Sequence, residues 1–190
     1  MEGNTVNDTA LLAELQAIVG PSGVLQGTDM AAYEEGARYG KGHARLVVRP
    51  GTVEQVQAVV RLCAAQRIPL LPQGANTGMV GASTPDMSGT QIVLNLSRLR
   101  ATCEVDAANR SVVVDAGVTL QELNDTLEPH GLWFPIDLGA NPSIGGMIAT
   151  NTGGTRLVRY GDVRANLMAV QAVLMNPPGE VVELGRALRK

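Results

Sequence analysis

Apolar residues recur every three or four positions in TALLAELQAIV, residues 9–19, so Leu11, Leu12, Leu15, Ile18 and Val19 predict one buried helical face. Gly20-Pro21 is expected to close that helix, a terminal glycine followed by a breaker. The stretch 27–45 carries no period and is expected to be irregular; it holds Tyr33, Tyr39 and the Gly-Lys-Gly of 40–42. Residues 46–49 predict a short strand before a Pro-Gly turn. A second helix over 52–66 places Val53, Val56, Val59, Val60 and Cys63 on its apolar side, with Thr52 and Gln55 at capping-box spacing. Strands are expected at 68–72, 91–96, 102–105 and 111–115, and a helix over 119–130 opened by Thr119 and Glu122 and stopped by Gly131. Two more strands, near 167–175 and 180–184, flank the turn Asn176-Pro177-Pro178-Gly179. Helices and strands mixed without a repeat predict an α+β fold. Its division is expected near residue 105, into two small lobes.

Charge narrows the function classes. The 190-residue chain has 15 Lys+Arg against 18 Asp+Glu, a net charge of −3, which argues against the basic face of a nucleic-acid binder. No apolar run approaches the roughly 18 residues of a membrane span, and MEGNTVNDTA lacks a basic segment followed by an apolar one. Cys63 and Cys103 are too few for a disulfide framework, so free thiols and a cytoplasmic location are expected. The chain's two Cys and two His show no metal-ligand spacing, and no metal is expected. His43 and His130 have no partner pattern that singles them out for chemistry.

Composition adds one anomaly: 22 glycines beside one Trp, three Tyr and one Phe. Glycines in such number mark tight turns or close approach to a ligand, and they cluster twice. The first cluster, Pro72-Gln-Gly-Ala-Asn-Thr-Gly-Met-Val-Gly81, follows a predicted strand. Gly74, Gly78 and Gly81 would let consecutive N–H groups point outward as an anion-binding nest, with Asn76 and Thr77 adding side-chain donors. The spacing fits neither G-x-G-x-x-G nor the Walker A loop. From the glycines alone, a long surface loop remains an equal alternative. The second cluster runs from Phe134 to Gly154 (FPIDLGANPSIGGMIATNTGG). There Ser143 would cap a short helix whose free amides attract phosphate, Gly145 and Gly146 would admit a ligand to the backbone, and the small residues 149–154 would face a flat ligand. Tight helix–sheet packing is the structural alternative. Two clusters together favour a dinucleotide-type ligand.

PQGANTGMVG with STPD, then IVLNLSRLR, DAGVTLQEL, PIDLGANPSIGGMIATNTGG and RYGDVR, resembles the FAD-binding domain of FAD-linked oxidases, the vanillyl-alcohol oxidase / p-cresol methylhydroxylase type. Within that type PQG-x-NTG and PxDLGA are most similar to the D-2-hydroxyglutarate and D-lactate dehydrogenase branch. The resemblance covers residue 46 to the end, after a lead-in over 1–45. It implies a PCMH-type domain of two small α/β subdomains with FAD between them and the cap domain absent. By position, Gln73, Gly74, Ala75, Asn76, Thr77 and Gly78 would wrap the pyrophosphate, with Met79 beside them. Pro135, Asp137, Leu138 and Gly139 would lie on the flavin-ring side. Ser143, Ile144, Gly145, Gly146, Ala149, Thr150 and Asn151 would line the remaining surface, near Gly154 and the Arg159-Tyr160-Gly161 turn. Ala75 replaces a glycine common in the family. No His stands in the first loop, so non-covalent FAD is implied.

The implied activity is oxidation of a D-2-hydroxy acid, a small-molecule substrate, by hydride transfer to flavin. The family continues beyond the segment VVELGRALRK into a cap that carries the catalytic residues, so the chain is expected to be the N-terminal part of a longer oxidoreductase, inactive alone. The alternative is a non-catalytic FAD- or nucleotide-binding subunit that needs a partner chain. A purely structural domain would require both glycine clusters to be accidental. Electron acceptor and homo-oligomeric state are left open by the sequence.

Overall fold

The computed structural model describes residues 5–185; the ends of the two expected regions, 1–4 and 186–190, lie outside the described residues. Helix α1 (Thr5–Val19) buries Leu11, Leu15 and Val19, one residue per turn. It ends at Gly20, whose φ of 78° is the left-handed conformation that favours glycine. Strand β1 (Val24–Leu25), which periodicity does not reveal, pairs antiparallel with β2 (Leu46–Val48). Between them, part of the stretch expected to be irregular forms a 3-10 turn and the short helix α2 (Ala31–Glu34).

Helix α3 (Val53–Ala65) starts where Thr52 accepts a hydrogen bond from Gln55 N. Only half of the expected capping box forms, because the Gln55 side chain accepts from Gly51 N instead. Strands β3 (Leu70–Gln73) and β4 (Ile92–Asn95) complete a sheet of order β1-β2-β4-β3, with β2, β4 and β3 parallel. The two-residue period sends Leu46, Val48, Ile92 and Leu94 to the face covered by α1 and α3. It sends Val47 and Val93 to the opposite face, against Met30 and Ala44. A sheet covered on both faces explains why β2 and β4 are unbroken apolar runs up to Leu94. Cys63 lies in this core, and burial pushes its thiol up to about 11.

The second core gathers Val118, Leu120, Leu123, Leu127, Ile136, Ile144, Met147 and Val163. Around it stand the hairpin β5 (Cys103–Asp106) and β6 (Ser111–Val114), helix α4 (Leu120–Leu127), α5 (Ile144–Thr150), and the single turns α6 (Leu157–Tyr160) and α7 (Val163–Asn166). The hairpin β7 (Ala169–Met175) and β8 (Pro178–Gly185) returns to α3, where Gln57 and Arg61 both donate to Gly179 O. Both cysteines are free, and no described helix is long and apolar enough to cross a membrane.

Helix α4 opens with the complete capping box expected from the sequence: Thr119 accepts from Glu122 N, and Glu122 accepts from Thr119 N at 2.9 Å. That backbone bond, before the nearby Arg100, holds the Glu122 carboxyl below the usual carboxylate range. Thr119→Ala should cost about 1 kcal/mol, read as a lower urea midpoint at unchanged slope. Glu122 has a depressed folded pKa, so its contribution is present above the unfolded pKa and lost as pH falls through the folded one. The gap between wild type and Glu122→Gln should therefore narrow in acid.

Candidate functional site

Three polar side chains are buried among the described residues, Gln73, Asn95 and Ser143, each 2% exposed. A buried polar group must be hydrogen-bonded to be tolerated, and these meet at one place. Gln73 ends β3 and Asn95 ends β4, paired in register. Asn95 Nδ2 donates to Gln73 Oε1 (3.0 Å) and to Gly74 O (2.9 Å). Gln73 Nε2 donates to Tyr33 O (2.9 Å) and Ser83 O (2.8 Å). The first glycine loop thus leaves the parallel sheet at the C-terminal ends of its strands, from a fixed root.

Beyond that root the backbone N–H groups from Ala75 to Gly81 donate to no acceptor among the described residues. Seven consecutive uncommitted amides are the donor supply an anion nest needs. Ala75, Gly78, Met79 and Val80 are exposed, and Thr77 half-buried. Asn76 departs from its expected part as a side-chain donor. Its Nδ2 bonds Glu35 O (2.8 Å), and its Oδ1 accepts from Ser83 Oγ (2.8 Å). The side chain holds the loop from behind, at a φ of 54° that Asn tolerates better than most residues.

The second cluster is brought against the first. A methyl group on Gly74 would overlap Ser143 Oγ and stand 3.9 Å from Gly146 Cα. Ser143 caps α5 as expected, accepting from Gly146 N at 3.4 Å. The expectation that the first amides of α5 are free for phosphate is corrected. Ile144 N donates to Val118 O (2.8 Å) and Gly145 N to Ala116 O (2.9 Å), while Gly146 N serves the cap. Those donors are consumed in docking α5 onto the segment before α4, and the Ile144 side chain is buried in the core.

Ala149, Thr150 and Asn151 are exposed at the other end of α5. Thr150 Oγ1 donates to Gly146 O (3.0 Å). Asn151, at a φ of 49°, donates to Asp162 and accepts from Arg164 N. The Ala165 N–H first, then the Asn151 amide, hold the Asp162 carboxyl below its usual range. Leu138 packs on the second core, Pro135 is half-buried, and Gly139 faces open space. Asp137 accepts from Thr155 Oγ1 (2.9 Å) and pairs with Arg156 (3.3 Å), while Gly154 lies on the Asp137 backbone. Beside them Trp133, Thr155, Arg156, Val158, Arg159 and Tyr160 line an open cleft of about 410 Å³. There Arg156 stacks on Trp133, and Trp133 meets Tyr160 edge to face at 5.2 Å.

These residues fit a dinucleotide cofactor: an uncommitted amide loop, a junction too close for any Cβ, and exposed small residues beyond it. Sequence reasoning missed Asn95, Ser83 and the carbonyls of Tyr33 and Glu35. The available signal was a polar residue inside the apolar strand IVLNL. Among the described residues no group of His, Cys, Asp and Glu could hold a metal ion.

A family described as "FAD binding domain" matches residues 44–185. The D-lactate dehydrogenase of Anaerostipes hadrus is 36% identical over 176 residues, 90% of this chain and 36% of the relative. The D-2-hydroxyglutarate dehydrogenase of Xanthomonas citri pv. viticola is 38% identical over 146 residues, 76% of this chain and 30% of the relative. The chain therefore spans about a third of the length of these curated relatives. Among solved structures, an alkyldihydroxyacetonephosphate synthase superposes with a TM-score of 0.81 at 21% identity, covering 96% of this chain and 36% of that one. A p-cresol methylhydroxylase superposes at 0.69 with 25% identity, covering 96% and 36%.

Proposed function

The chain belongs to the FAD binding domain family, and on that premise we propose that it is the flavin-holding part of an oxidoreductase acting on the CH–OH group of a D-2-hydroxy acid. The relatives named as D-lactate and D-2-hydroxyglutarate dehydrogenases support that substrate class. The observation that carries the reading is the run of uncommitted amides from Ala75 to Gly81, rooted on Gln73 and Asn95 and wedged against Ser143. Gly74 to Gly78 would face the pyrophosphate through the backbone, with Met79 beside them, while Gln73, expected among them, is buried and spends its side chain on Tyr33 O, Ser83 O and Asn95 at the loop's root. Pro135, Asp137, Leu138 and Gly139 would stand on the flavin-ring side, and Ser143, Ile144, Gly145, Gly146, Ala149, Thr150 and Asn151 with Gly154 along the rest. When bound, FAD supplies the hydride acceptor, while the protein supplies position and electrostatics. Within the loop, backbone amides rather than cations would face the phosphates, because 73–83 contains no Lys or Arg. Binding is non-covalent in this reading, since neither His43 nor His130 lies in the two loops.

The test is an absorbance spectrum of the purified chain before and after mixing with FAD and desalting. Flavin bands that co-elute, one flavin per chain, support the reading; a colourless chain at saturating FAD overturns it for these residues. The substrate class is tested on the longest natural chain containing this sequence, by anaerobic bleaching of its flavin. Bleaching by D-2-hydroxyglutarate or D-lactate supports the class, and a flavin that stays oxidised with every 2-hydroxy acid overturns it. The cytoplasmic location expected from the sequence stands against relatives named as mitochondrial, and cell fractionation decides it.

A further inference from the structure

The region matched by the family begins at residue 44, yet the first glycine loop is held by chain that precedes it. Three carbonyls in and just after α2 receive the side chains at the loop's root: Tyr33 O accepts from Gln73, and Ala32 O and Glu35 O accept from Asn76. The chain then folds back on itself, with Gly36 N donating to Gly40 O (2.9 Å), Gly42 N to Glu34 O (3.0 Å) and Lys41 paired with Glu35. His43 N donates to Asp86 O (2.8 Å), at the loop's far end. The glycines here make the contact close. Methyl groups on Gly36 or Gly40 would press on Thr84, and one on Gly42 would overlap the Pro85 and Asp86 carbonyls.

We propose that residues 31–43 form a strap that positions the cofactor loop, and that the Asn76 side chain, bonded to that strap, positions the loop while only its backbone N–H faces the ligand. The proposal rests on the reading of this loop as the pyrophosphate cradle. A loop whose amides from Ala75 to Gly81 bond to no acceptor among the described residues has few contacts of its own, chiefly Ser83 Oγ on Asn76 Oδ1, to hold one conformation, and ordering it on binding would cost affinity. The strap removes that cost by fixing both ends. Gln73 and Asn76 are latched at the start, and residues 84–86 are clamped at the finish. With the Asn76 amide spent on Glu35 O, the backbone donors stay turned to the ligand side. FAD affinity should therefore depend on residues that lie outside the matched region and touch no cofactor.

The test uses the whole 190-residue chain carrying Gly42→Ala or Asn76→Asp. The first pushes the strap off the Pro85 and Asp86 carbonyls. The second keeps size and the bond from Ser83 but turns a donor facing Glu35 O into an acceptor. Hydrogen exchange reads the strap, and quenching of flavin fluorescence reads affinity. Each variant is expected to speed exchange at Gly36, Gly42 and His43 and to weaken FAD binding about tenfold, with α3 and α4 amides unchanged; the double variant should fall well short of the product, because both undo one contact. A pH profile separates positioning from loss of structure. In Asn76→Asp the introduced carboxyl regains a donor when protonated, so affinity should recover toward wild type as pH falls, while Gly42→Ala shows no recovery. Wild-type FAD uptake with unchanged variants overturns the strap alone, as does faster exchange without loss of affinity. A wild-type chain that takes up no FAD overturns the flavin reading and the strap with it.

Discussion

Gly74→Ala is expected to weaken FAD binding by about a hundredfold or more while leaving the chain folded. Gly74 sits where the two glycine clusters touch, and an added methyl would overlap Ser143 Oγ. A serine oxygen can usually swing aside. This one is buried and caps α5 by accepting from Gly146 N, so moving it frees the cap and separates the loop from α5. Overpacking of this kind costs about 1–3 kcal/mol, which lowers the melting temperature by about 2–4 °C per kcal/mol in a domain of this size. The cofactor effect should exceed the stability effect, because the displaced atoms are the cradle itself. Gly51→Ala is the matching control outside the site, since its methyl would meet atoms only at 3.8 Å and beyond. Isothermal titration with FAD and thermal melts on the same samples measure both. Equal affinity for Gly74→Ala and wild type would show that the junction is not part of the cofactor site.

What the sequence made legible follows from which forces are local. The helices around Val56, Val59 and Cys63, and around Leu120, Leu123 and Leu127, carry their period and their caps in the chain, and they stand where periodicity puts them. The strand at 92–95 shows as an apolar run. Two-residue β1 and four-residue α2 exist because β2 and the face holding Met30 and Val93 are there to cover them. A tertiary cause leaves no local pattern, so neither β1 nor α2, the latter within 27–45, shows in the sequence.

The site divides the same way. Glycine spacing located both clusters, since the need for a bare backbone is written residue by residue. It did not show where hydrogen bonds go. The amides opening α5 look free in sequence and are consumed by Val118 O and Ala116 O. Asn76 looks like a ligand and is bonded to a carbonyl 41 residues away. Fate of a donor is a long-range property, and only the folded chain assigns it.

Asn95 is the position where a residue that does not touch the cofactor should matter most. Asn95→Leu would fit an apolar strand and improve its local pattern, yet a loss of about 2–4 kcal/mol is expected. The cause is what it leaves behind: Gln73 Oε1 and Gly74 O lose their donor, and Ser97 N loses its acceptor at 3.0 Å. Buried groups without partners carry the full desolvation cost, and the sheet's close packing leaves no route for water at a residue 2% exposed. Chemical denaturation should show the loss as a lower midpoint. Asn95→Asp tells donor from acceptor. An ionised carboxylate there would face Gln73 Oε1 and Gly74 O as a third acceptor, so burial and like polarity raise its folded pKa above the unfolded one. A group with a raised pKa contributes stability below the unfolded value and loses it as pH rises through the folded value. Asn95→Asp should therefore approach wild type in acid and fall away toward neutral pH, whereas Asn95→Leu should stay a constant distance below. A pH-independent Asn95→Asp would mean that the Asn95 amide is not the donor holding the root of the loop.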